Sequence, residues 1–193
     1  MIIVFGTPRS GSTFFTRWLS NKNKNYEYLG EYFQPYHFSN VNIENEISTR
    51  INNLSENSLF KVHAGPELHN SVLDILKTNP VNLVIRKNKL EQIVSMGLAS
   101  ICDEWVTYEN KNTYIRGTYK KEWFDDITTR IKMFEKIYPT LEINQTFFYE
   151  DIVKYKQNGP LPLKQNKYSL EESLTLFSNK KQLLMWYNDW IRQ

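Results

Sequence analysis

The chain has 193 residues, of which 40% are hydrophobic, 15% aromatic and 23% charged, a balance that excludes a disordered polypeptide and suits one domain over residues 1–193 with a sizeable core. A net charge of +3 excludes the dense basic face of a nucleic-acid binder but is compatible with an anionic ligand. The single cysteine, Cys102, excludes a disulfide framework within the chain, and no apolar run approaches the ~18 residues of a transmembrane span. The first apolar run opens at Ile2, so no signal peptide is expected, and a cytoplasmic location is the expectation.

Residues 2–5, Ile-Ile-Val-Phe, read as a strand buried on both faces, the kind found in parallel sheets. Gly6 breaks the run, 7–12 is a polar turn containing Gly11, and from Thr13 onward Phe14, Phe15, Trp18 and Leu19 recur at helical spacing. A short strand is expected at 26–29, followed by Gly30 and Glu31, and then an aromatic loop at 32–38 broken by Pro35. Ile43, Ile47, Ile51 and Leu54 predict an amphipathic helix over 40–57. A second buried strand is expected at 59–63 and a helix at 67–78, with Leu68, Val72, Ile75 and Leu76 on one face. A third strand follows at 81–86. The clearest helix is 89–101, striped by Leu90, Ile93, Val94, Gly97, Leu98 and Ile101. Residues 102–121 have no period and are expected to form a mobile segment over a site. A helix at 123–138, with Phe124, Ile127, Ile131, Phe134 and Tyr138 inward, a strand at 145–149 and a helix at 180–192 complete the chain, the last with Leu183, Trp186, Tyr187, Trp190 and Ile191 at helical spacing. Alternating strands and helices predict a three-layer α/β fold, its mostly parallel sheet covered on both faces.

The chemistry concentrates at the first turn. A strand that enters a glycine-containing loop and opens a helix aims several backbone N–H groups at one spot, where the helix terminus adds partial positive charge; this suits a phosphate or sulfate. Gly6 to Thr13 has the spacing of a Walker A loop, but Ser12 stands where the lysine for a triphosphate belongs. A P-loop nucleotide kinase would want that lysine and an acidic strand end for Mg²⁺, so this alternative is disfavoured; a non-catalytic binding module is the other alternative. Arg9 offers a cation within the loop.

Three further features bear on chemistry. Lys61, between Phe60 and Val62, must direct its ammonium at a partner if its strand is buried; an edge-strand lysine facing water is the blander reading. Arg86 closes a strand, at the end where ligands bind in open α/β sheets, and Ser95 lies off the apolar stripe of the next helix, so the two are candidates for a second phosphate. Glu31 and His63 are alternative general bases. His37 and His69 lack partners for a metal site, and Cys102 lacks the surroundings of a catalytic thiol.

Pro8-Arg9-Ser10-Gly11-Ser12-Thr13 resembles the loop of the PAPS-dependent sulfotransferase family (PAPS, 3′-phosphoadenosine-5′-phosphosulfate). The resemblance extends through Gly30-Glu31, the Lys61-x-His63 strand, Arg86…Ser95 and Tyr149-Glu150-Asp151, and so covers most of residues 1–151. Its nearest likeness is to the bacterial trehalose sulfotransferase type, with Asn88 replacing an Asp. It implies a P-loop-like sulfotransferase fold and transfer of a sulfuryl group from PAPS to a hydroxyl of a glycan, a tyrosine or a small metabolite, leaving PAP (adenosine 3′,5′-bisphosphate). Pro8 to Thr13 would hold the 5′-phosphosulfate, and Arg86 with Ser95 the 3′-phosphate. Lys61 would assist the leaving group, Glu31 or His63 would serve as base, and no metal would be needed. Tyr149-Glu150-Asp151 would brace the cofactor loops. The C-terminal part lacks a match to the family's Arg-x-Gly-rich closing loop, where Lys164, Lys167, Lys180 and Lys181 are candidate substitutes. The chain is also short for the family, which implies an acceptor site that is open or completed by a second subunit in a homodimer.

Overall fold

A computed structural model describes residues 1–34, 42–102, 116–152 and 169–193. The elements run β1 (Ile2–Gly6), α1 (Ser12–Lys22), β2 (Glu27–Gly30), α2 (Ile43–Asn52), β3 (Ser58–His63), α3 (Asn70–Thr78), β4 (Val81–Ile85), α4 (Lys89–Cys102), α5 (Lys121–Ile137), β5 (Ile143–Phe148), α6 (Tyr149–Ile152), α7 (Leu170–Thr175) and α8 (Lys180–Ile191). A 3₁₀ turn, Tyr138–Thr140, follows α5. The chain divides into two compact units, Met1–Lys87 with Thr129–Leu161, and Asn88–Thr128 with Pro162–Gln193.

The first unit holds a five-stranded, all-parallel sheet in the order β2-β3-β1-β4-β5. Strand alternation divides its apolar residues between two faces. Ile3 and Phe5 of β1, Phe60 and Val62 of β3, and Val81 and Leu83 of β4 pack with Ile47 of α2, Val72 and Leu76 of α3, and Phe134 of α5. Val4, Leu59 and Val84 face the other way and pack with Phe15 of α1 and Ile152 of α6. The result is the expected three-layer α/β arrangement, and β1, the strand that leads into the first glycine loop, is its central member. Because β1 lies between β3 and β4, with Gly6 opposite both His63 and Val84, the loop after β1 opens among three strand ends. Crevices at such carboxyl ends are where open α/β sheets bind ligands.

Several boundaries differ from the sequence reading. The helix expected at 67–78 starts at Asn70, because His69 caps it, its Nδ1 accepting the Ser71 N–H at 3.2 Å. Glu67 pairs instead with Arg130. The helix expected over 40–57 contracts to α2, capped by Asn42, which accepts the Glu44 N–H at 3.1 Å. The last strand begins earlier than expected and ends at Phe148, so Tyr149 opens a helical turn rather than closing the strand. Within the aromatic loop expected at 32–38, Phe33 joins the core and meets Phe60 edge-on, their centroids 5.4 Å apart; 35–41 lie outside the described residues.

In the second unit α4 is buried along Ile93, Val94, Met96, Gly97, Leu98 and Ala99. Asn88 accepts the Glu91 N–H at 3.1 Å and so caps this helix. Most of the segment expected to be mobile, 103–115, lies outside the described residues. Its far end is anchored: Tyr119 is buried and donates to the Ile93 carbonyl at 2.8 Å. α7 was not expected, although Ser169 and Glu172 form a reciprocal capping box whose Ser-x-x-Glu signature stands in the sequence. The helix expected at 180–192 is α8; within it Leu183 is buried, while Ile191 at its end is 56% exposed. No helix among the described residues is long and apolar enough to cross a membrane.

Candidate functional site

The site grows from the loop between β1 and α1. Arg9 (φ 62°) and Gly11 (φ 87°) are both left-handed, flanking Ser10, a backbone pattern that turns N–H groups toward a common concavity. For arginine this conformation costs roughly 1–2 kcal/mol, a strain retained at the loop tip. Gly6 is needed because a Cβ there would meet Ser10 Oγ and the Val84 carbonyl at 2.9 Å. Ser10 is fully buried, and its Oγ has no hydrogen-bond partner among the described residues.

The helix that follows is unfilled at its positive end. Gly11 is the N-cap of α1 and offers no side-chain acceptor, and the first turn holds no acidic residue. The first intrahelical bond along this stretch runs from the Phe15 N–H to the Gly11 carbonyl at 3.0 Å. The amides before it therefore have no partner within the helix, and with the helix dipole they favour an anion.

Lys61 points at this end. The edge-lysine reading fails, because β3 is paired on both sides and the Lys61 side chain is 1% exposed. Its ammonium donates to Thr13 Oγ1 in the first turn of α1 and is ion-paired with Glu31, which follows β2. Burial pushes this lysine below its ordinary value; Glu31 offsets part of that, and Arg17 and Arg9 push it further down. The Glu31 side chain remains 23% exposed.

His63, two residues on, presents Nε2 to Ser12 Oγ at 3.0 Å. Burial pushes it well below the usual histidine range, helped by the cations of Lys61 and Arg130. It is neutral near neutral pH, with one ring nitrogen a donor and the other an acceptor. The sign of the pH effect follows. Above about 6.5 the ring is neutral in both folded and unfolded chains, and the benefit of that match is complete. As pH falls below this value, the unfolded chain takes a proton that the folded chain refuses, so stability drops by up to about 1.4 kcal/mol per pH unit. Urea unfolding between pH 6.5 and 5.5 should show this slope in the wild type and a shallower one in His63→Asn; equal slopes would assign the proton elsewhere.

Arg86 is 8% exposed and reaches the same loop, donating from Nη1 to the Arg9 carbonyl at 3.2 Å. Its guanidinium lies 4.4 Å from the centre of the Tyr149 ring. Glu31, Lys61, His63, Arg86 and the turn from Pro8 to Thr13 thus all belong to the first unit and meet at the N-terminus of α1 through pairwise contacts. Ser95, half-buried on α4, belongs to the second unit, and its partnership with Arg86 stays a proposal. Lys164 and Lys167 lie outside the described residues.

Comparison with protein-family models finds no match. Nor does any curated protein match the chain.

The sequence reading missed what holds these groups. Tyr149 lies so close to Gly11 that a Cβ at Gly11 would run into its ring, and the Arg130–Glu67 pair sits over Gly65 beside His63. The first was signalled by the motif Tyr-Glu-Asp at a strand end. The second had no local signal, because Glu67 reads as an ordinary first-turn helix carboxylate.

Proposed function

We propose that the chain is a PAPS-dependent sulfotransferase that moves a sulfuryl group to the hydroxyl of a glycan, a tyrosine or a small metabolite. The observation that carries this reading is Lys61. A buried ammonium rises from an internal strand to the uncapped end of α1, with a carboxylate and a neutral imidazole beside it. That arrangement suits a reaction in which negative charge grows on an oxygen held at the loop while a nearby hydroxyl loses its proton.

PAPS supplies an activated sulfuryl group on a 5′-phosphate. The amides of Gly11 to Thr13, the Ser10 hydroxyl and the Arg9 side chain hold that end, the Ser10 N–H being bonded to the Thr7 carbonyl at 3.2 Å, and the absence of a lysine at position 12 suits it better than a triphosphate. Arg86, with Ser95, takes the 3′-phosphate. The acceptor oxygen forms a bond to sulfur as the bond from sulfur to the bridging phosphate oxygen breaks, and the electron pair stays on the phosphate. Lys61 offsets that growing charge as a preplaced cation in a dry setting. The acceptor proton passes to Glu31, which is ion-paired with Lys61, or to His63, two residues along β3 from it. The acceptor site is either open or completed by a second subunit in a homodimer.

Thermal unfolding with PAP and with ADP tests the donor. PAP at 100 times its dissociation constant should add about 2.7 kcal/mol, or roughly 5–10 °C for a chain of this size, while ADP at equal concentration adds little. A shift with ADP alone would replace the sulfotransferase reading with a nucleotide kinase. A PAP shift without PAP release from PAPS, across sugars, phenols and tyrosyl peptides as acceptors, would leave a binding module.

A further inference from the structure

Three consecutive side chains on α6 each engage a group near the anion loop. The Tyr149 ring abuts Gly11 and carries the Arg86 guanidinium 4.4 Å above its centre. Glu150 Oε1 accepts the Lys87 N–H at 2.9 Å, and Asp151 Oδ2 lies 3.6 Å from Lys87 Nζ. The Lys87 ammonium also covers the Phe148 ring at 4.1 Å. The dipeptide Arg86-Lys87 is thereby held at two side chains and one backbone amide by residues 148–151.

We propose that Tyr149 is a positioning residue for the anion site, acting through Arg86. This rests on the sulfotransferase reading for the identity of the anion but not for the existence of the site. A guanidinium is planar, and its five donors lie in that plane. Stacking on an aromatic face fixes the plane and so decides where the donors point. One of them goes to the Arg9 carbonyl, and the Tyr149 face beneath limits how the group can turn. The same ring fills the space that a side chain at Gly11 would need, so the loop and the arginine pack on one plate. Glu150, through the Lys87 N–H, fixes the chain just past Arg86 and keeps the arginine's origin from sliding along the ring. The phenol hydroxyl has no part in this, and a phenyl ring suffices.

The experiment measures PAP binding by calorimetry to wild type, Tyr149→Phe, Tyr149→Leu, Arg86→Met and the Tyr149→Leu/Arg86→Met double variant. Tyr149→Phe should bind within about twofold of wild type, and Tyr149→Leu about tenfold more weakly. In the Arg86→Met background the leucine change should cost less than twofold, because the residue it positions is gone. A full tenfold loss in that background, or a loss with Tyr149→Phe equal to that with Tyr149→Leu, overturns the proposal. If Tyr149→Leu does not fold, Tyr149→Trp replaces it. Its indole emission should change on titration with PAP and stop changing once Arg86 is methionine; an emission that ignores PAP, or that still responds without Arg86, overturns the proposal as well. Absence of PAP binding to the wild type sinks the donor assignment alone. The same series is then read with inorganic pyrophosphate, and the same pattern among variants is required.

Discussion

Replacing Lys61 with methionine is expected to leave the protein folded and to reduce sulfuryl transfer about a hundredfold to a thousandfold. Methionine matches the length and volume of the buried stem and needs no partner. Exchanging one member of a buried charge pair is ordinarily severe, because the other charge is stranded. Here Glu31 is 23% exposed and can turn to water, while the cost of keeping an ammonium buried is removed. The urea midpoint should therefore stay level or rise. Lys61→Ala should differ sharply, losing roughly 2–5 kcal/mol through the cavity left between β3 and α1. The catalytic loss follows from removing a preplaced positive group beside a developing oxyanion, worth about 2.7–4 kcal/mol. Wild-type turnover in Lys61→Met, measured as PAP release, would remove this lysine from the chemistry. An unfolded Lys61→Met would show that the ammonium serves the fold.

Gly11→Ala is expected to cost about 2–5 kcal/mol of stability and to abolish the PAP-induced thermal shift. Two effects add. A left-handed backbone costs a residue with a Cβ roughly 1–2 kcal/mol, and the new methyl group runs into the Tyr149 ring, an overpacking of about 1–3 kcal/mol. Gly30→Ala is the internal control. Its φ of 67° carries the same backbone cost, but the nearest atom to its Cβ is the Tyr28 hydroxyl at 3.9 Å. The difference between the two substitutions isolates the ring contact. If they cost the same, Tyr149 is not packed against the loop in solution.

Local pattern was enough to find the loop. An apolar run, two glycines and a helical stripe lie within twenty residues, and each acts on its neighbours along the chain. It was also enough to single out Lys61, because a charge inside an apolar run has to be answered somewhere. Which groups answer it was beyond local pattern. Thr13 is 48 positions away in sequence, and Glu31 is brought alongside only because β2 pairs with β3 and β3 with β1. Helix starts were misread for a related reason: Glu67 looks like a first-turn carboxylate until Arg130 arrives from α5 to claim it.

The sequence by itself determined that this protein has a parallel α/β core and a glycine-containing turn that opens a helix after its first strand, since strand burial, glycine placement and helix periodicity are short-range properties. Only the tertiary structure decided that a lysine, a carboxylate, an imidazole and an arginine converge on that turn. Side chains on separate strands meet through the order in which the strands pair, and strand order is set by packing across both faces of the sheet, which no single stretch of sequence encodes.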